Sequence, residues 1–240
     1  MSLLALWFAA VGLADLTTGL AGAAVGTARA LSAAVVGAVA AAVGALLIGH
    51  EIGAVLFAGV VALALLVGWA WLRTGTWTNE RVAGALALHA TAILVLATLS
   101  GTLPEGDGGV FARWLEGLPF VGASTWESGL LVVGIVLWLG ATANSIVRMA
   151  IFLVEKQIDL RVGEEQLKGG RIIGPLERWL IFSLVLSGNA VAAGFITAAK
   201  SLARFPELGR SANIRLDTEY LLVGSLVSWT LALAPLLLVP

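Results

Sequence analysis

Eight residues of this chain carry chemistry that their surroundings do not share. Asp15, Asn144, Arg148 and Asn189 lie inside long apolar runs, and Glu177, Arg178, Lys200 and Arg204 bound one such run. A charge within bilayer-length apolar sequence costs about 2.5–3.5 kcal/mol on insertion scales unless a partner or the interface relieves it. Asp15 stands on a glycine face beside Thr17 and Thr18, near the middle of its apolar block. It reads either as half of a buried ion pair that locks a helix or as an ion or proton site. Asn144, Arg148 and Glu155 fall on one helical face. Arg148 can snorkel toward Glu155 and the interface, or grip an acidic side chain or anion in bidentate fashion. Asp15, Asn144, Arg148 and Asn189 are thus the candidates for an ion or solute pathway.

Other chemistries find no support. There is no cysteine and there are only two histidines, His50 and His89, so a transition-metal site is not expected. His50-Glu51 sits at a tight turn, and His89 reads as a packing residue. No phosphate-binding loop, dinucleotide fingerprint, nucleophile elbow or HExxH pattern occurs. No cofactor and no enzymatic activity are expected. A net charge of −1 gives no basic field for nucleic acid.

The positioning elements are membrane helices. Hydrophobic residues make up 59% of the chain and charged residues 12%, which is outside the range of soluble domains. Seven apolar blocks occupy 2–27, 30–49, 52–72, 82–100, 128–154, 175–204 and 218–239, each long enough to cross a bilayer. The expected fold is all-α: one integral membrane domain over 1–240, a bundle of about seven transmembrane helices. Residues 1–100 form an Ala/Gly-rich four-helix half and 128–240 a charged three-helix half. In the connection 101–127, Val110, Phe111, Trp114, Leu115 and Leu118 share a face. That pattern reads as an interfacial amphipathic helix, with Trp114 and Trp126 at headgroup level.

Small residues mark packing faces. Gly12, Asp15, Gly19, Gly22 and Gly26 form one stripe, and Ala33, Gly37, Ala40, Ala41 and Gly44 another. Such faces let helices approach closely or line a narrow path. Pro175 suits a helix start and Pro206 a stop, giving one helix of about 45 Å across a core of about 30 Å. One face of it reads Ser183, Ser187, Ala190, Gly194, Ala198 and Ser201. Asn189 lies opposite, in line with Arg178 and Lys200.

With seven spans and the N-terminus outside, nine Lys/Arg face the cytoplasm: Arg29, Arg73, Arg81, Arg148, Lys156, Arg161, Lys168, Arg171 and Arg178. Five face outward: Arg113, Lys200, Arg204, Arg210 and Arg215. The bias favours N-out, C-in, yet it leaves the basic loop 205–217 outside: either Glu207, Asp217 and Glu219 hold its charges, or one of the seven blocks does not cross.

GGRIIGPLERWLIF, LSGNAVAAGFITAAKSLARF and EYLLVGSLVS resemble the C-terminal signature of an uncharacterised family of bacterial inner-membrane proteins, a domain of unknown function. The resemblance covers about residues 168–228, a quarter of the chain. It implies that Glu177, Arg178, Asn189, Lys200, Arg204, Glu219 and Tyr220 are motif positions, and it implies the inner membrane as location. Asn189 stands where glutamine is usual, and residues 1–160 carry no matching motif. Two functions remain in view. One is a small oligomeric channel or transporter for an ion or small solute. The other is a membrane scaffold or regulatory subunit without transport, whose small-residue faces bind a second copy, another membrane protein or lipid.

Overall fold

The computed structural model describes residues 1–18, 26–100, 107–117, 125–154, 170–208 and 214–239. All regular structure among them is helical: α1 (Ser2–Thr18), α2 (Thr27–Leu47), α3 (Ile52–Arg73), α4 (Asn79–Ser100), α5 (Gly109–Glu116), α6 (Trp126–Gly140), α7 (Thr142–Val154), α8 (Gly170–Leu186), α9 (Ala190–Leu208) and α10 (Ile214–Leu233). A 3₁₀ turn, Ala234–Leu238, extends α10.

Four stretches are long and apolar enough to cross a membrane: Thr27–Leu47, Ile52–Arg73, Asn79–Ser100 and Leu221–Leu238. The pair α6 and α7, broken at Ala141, makes a fifth if it counts as one span. The chain is therefore an integral membrane protein, and the expected seven spans reduce to four or five by length and apolarity. Three of the expected blocks are not single helices: 128–154, broken at Ala141, and the blocks 2–27 and 175–204. Block 2–27 holds α1, which ends at Thr18, and α2 begins at Thr27. Thr17 and Thr18 there donate their hydroxyls to the carbonyls of Ala14 and Asp15 at 2.7 and 2.8 Å. Asp15 is consequently in the last turn of α1, not at mid-helix. Gly19 and Gly22 of the first stripe lie outside the described residues.

Block 175–204 is a helical hairpin. Ser187-Gly188-Asn189 turns the chain, with Gly188 at φ +81°, a left-handed conformation open to glycine at little cost. The Asn189 amide donates to the Ser187 carbonyl at 3.2 Å and closes the turn. Neither proline acts as expected. Pro175 is inside α8, which starts five residues earlier, and α9 continues past Pro206 to Leu208. Each proline removes one N–H close to a helix end, where few bonds are lost.

The helices group into two compact units, Met1–Thr142 and Ala143–Leu238. In the first, α1 lies against α2, α4 and α6, and α2 against α3. Small residues make the contacts possible. A Cβ on Gly12 would come within 2.6 Å of the Leu137 backbone in α6, and one on Gly37 within 2.6 Å of the Ala10 carbonyl in α1. Ala33 and Ala41 of the second stripe are buried as well. Helix α5 rests its Leu115 against Gly129 of α6 and leaves Val110 and Trp114 exposed, the pattern of an interfacial helix. Leu118 lies outside the described residues. In the second unit, Ile181 of α8, Ala193 of α9 and Ala232 of α10 form a small core, flanked by Leu184, Val185 and Trp229.

Candidate functional site

Four helices of the second unit converge on Glu177 and Arg178, neighbours in α8. Both are buried, Arg178 to 2% exposure. The Glu177 carboxylate takes Lys200 Nζ of α9 as an ion-pair partner and accepts from Trp229 Nε1 of α10 at 3.2 Å. The Arg178 guanidinium donates to Ser228 Oγ of α10 at 3.2 Å and to Asn144 Oδ1 of α7. Consecutive residues of α8 thus engage consecutive residues of α10, each acid or base with its own partner. Gly174, one turn before Arg178, keeps the guanidinium and the amide together: a Cβ there would lie 3.3 Å from Asn144 Oδ1.

The hairpin explains how Lys200 reaches Glu177. On one continuous helix, 23 residues would hold them about 34 Å apart. The turn at Gly188 folds α9 back so that they meet. Four candidate residues from the sequence, Asn144, Glu177, Arg178 and Lys200, are therefore in one network, joined by Ser228 and Trp229, which sequence reasoning missed. Asn189 does not belong to it. It is an exposed residue of the turn, because the helix on which it was aligned with Arg178 does not exist. Arg148 in α7 is half-buried, and its expected partner Glu155 lies outside the described residues. Glu219 is exposed on α10. Arg204 lies in α9 and Tyr220 in α10, and the structure describes neither side chain.

Asp15 belongs to a different cluster, inside the first unit. Arg73, the last residue of α3, pairs with it at 2.5 Å. Trp69, one turn earlier, donates Nε1 to the same carboxylate at 3.3 Å. The guanidinium also lies over the Trp69 ring, 4.8 Å from its centroid, a cation–π contact. Trp69 backs onto His89 of α4, with ring centroids 5.1 Å apart. His89 is buried and has Trp7 at 5.7 Å and a stacked Trp138 at 5.9 Å. Trp138 Nε1 donates to His89 Nε2 at 2.9 Å. An indole nitrogen can only donate, so His89 is neutral with its proton on Nδ1. That Nδ1 and Trp7 Nε1 are buried donors without an acceptor among the described residues. The signal that could have exposed this cluster is the i, i+4 spacing of Trp69 and Arg73 at the end of an apolar block.

No His, Asp or Glu grouping among the described residues could hold a metal ion. Comparison of the chain with protein-family models, curated proteins and solved structures finds no match.

Proposed function

We propose that this protein moves an ion or small charged solute across the membrane in which it resides, with the Glu177–Arg178–Lys200–Asn144 network as the polar step. The observation that carries this reading is the cost of the network. A carboxylate and a guanidinium are buried side by side beside an apolar span, with a half-buried ammonium paired to the carboxylate. Ionisable groups so placed are rare within membrane segments and mark ion or solute pathways. Of the two readings of Asp15, the geometry favours the ion pair. Arg73 ends its span, close to the interface, and the aromatic residues beside it hold a neutral His89 that already accepts a hydrogen bond.

The scaffold reading keeps one specific observation. Ser183, Ser187, Ala190, Gly194, Ala198 and Ser201, expected as a packing stripe, are all exposed on the hairpin. Nothing would meet a Cβ added at Gly194 within 4 Å. A small-residue face of this kind suits a second copy or another membrane helix, so we propose a homo-oligomer in either case. The family resemblance of residues 168–228 and the inner-membrane location stand as part of the same proposal, as does the absence of enzymatic activity and of a cofactor.

The test is flux. The purified protein in liposomes is expected to pass at least one member of a panel of protons, alkali cations, halides and small organic anions, and Glu177→Gln is expected to abolish that flux. No flux across the whole panel from a folded protein contradicts transport and leaves the scaffold reading.

A further inference from the structure

Within the second unit, three midpoints coincide. Helix α8, Gly170–Leu186, has Arg178 at its centre; α9, Ala190–Leu208, is centred next to Lys200; and the apolar span Leu221–Leu238 is centred beside Trp229. Glu177 is bonded to Lys200 and Trp229, and its neighbour Arg178 to Ser228. The centre of an 18-residue apolar span lies at mid-bilayer, so the charge network bonded to it does too. Helices α8 and α9, at about 25 and 28 Å, nearly match the hydrocarbon thickness of about 30 Å. From Arg178 to Gly188 the chain rises about 15 Å, half that thickness.

We infer that α8 and α9 cross the bilayer as two short spans whose central charges hide them from hydropathy. The chain therefore returns at the end of α9 to the side from which it began α8, and the C-terminus lies on the opposite side. A lipid-exposed turn in the hydrocarbon would leave backbone groups unsatisfied; crossing places Ser187-Gly188-Asn189 in the far headgroup layer.

The charge distribution agrees. Lys156, Arg161, Lys168 and Arg171 precede or open α8, and Arg204, Arg210 and Arg215 flank the connection from α9 to α10. All seven fall on one side. Residues 179–199 and 216–240, which contain the turn and the C-terminus, hold no Lys or Arg. The positive-inside rule then makes the seven-residue side cytoplasmic. The basic loop 205–217 no longer stands outside, and the expected cytoplasmic C-terminus is revised to the outer side.

The chain lacks cysteine, so single introduced thiols report sidedness without background. Asn189→Cys, Ala212→Cys and Leu237→Cys would be expressed in cells and labelled with a membrane-impermeant maleimide before and after permeabilisation, each variant keeping the parent melting temperature. Asn189→Cys and Leu237→Cys are expected to label fully in intact cells, and Ala212→Cys only after permeabilisation. Labelling of Asn189→Cys and Ala212→Cys from the same side would overturn the inference. So would an Asn189→Cys thiol unlabelled in both conditions, which would put the turn inside the bilayer, or Leu237→Cys on the side of Ala212→Cys.

Discussion

The two units use the same kinds of residue in different ways, and the difference is one of depth along a helix. In the first, Asp15 and Arg73 each stand in the last turn of their helix, braced by Trp69. Charges there can reach the headgroup layer, so the pair is inexpensive and its value is geometric. In the second, Glu177, Arg178 and Lys200 stand at or beside the middle of their helices. No single side chain can snorkel from there, so each depends on partners from other helices. A buried charge at a helix end reads as a fastening; one at a helix centre needs a further reason to exist.

The largest expected effect tests that dependence. Glu177→Ala leaves Lys200 without its carboxylate and frees Trp229 Nε1, a loss of about 3–5 kcal/mol for a broken buried pair. Asp15→Ala should cost less, because Arg73 can turn to the interface. Thermal unfolding in detergent that ranks Asp15→Ala as the more damaging change would reverse the comparison. Second comes packing. Gly37→Leu drives a side chain into the Ala10 carbonyl and Leu66, an overpacking cost of about 1–3 kcal/mol, whereas Gly194→Leu on the open hairpin face should leave the isolated chain's melting point unchanged. A Gly194→Leu variant that loses an oligomer on size-exclusion chromatography would sharpen the contrast further. The smallest effect is Trp138→Phe. It removes the only hydrogen bond to His89 Nε2 found among the described residues, for about 1 kcal/mol. The measurement is thermal unfolding in detergent, where Trp138→Phe should lower the melting temperature less than Gly37→Leu does; a loss as large as that of Glu177→Ala would contradict the ranking.

Much of the first unit is legible in the sequence. Helices α2, α3 and α4 follow from length and apolarity, and the stripe containing Gly37 and Gly44 foretells the contacts of α2. The pairing of Asp15 with Arg73 is not legible, because no local spacing joins residues 58 positions apart. In the second unit, residues 180–199 carry no charge and are apolar but for Ser183, Thr197 and the tripeptide Ser-Gly-Asn at 187–189. Periodicity reads this as one helix, yet that tripeptide is turn chemistry. Missing it separated Glu177 from Lys200 and aligned Asn189 with the wrong residues. The motif positions Glu177, Arg178 and Lys200 were visible as charges; that they form one network with Asn144 depends on a turn whose signal is three residues long.

The most direct test of the account compares Asp15→Asn with Glu177→Gln in one liposome flux assay, using variants that remain folded. The account predicts that Asp15→Asn keeps parental flux with a lowered melting temperature, while Glu177→Gln loses the flux. Flux abolished by Asp15→Asn and retained by Glu177→Gln would contradict it.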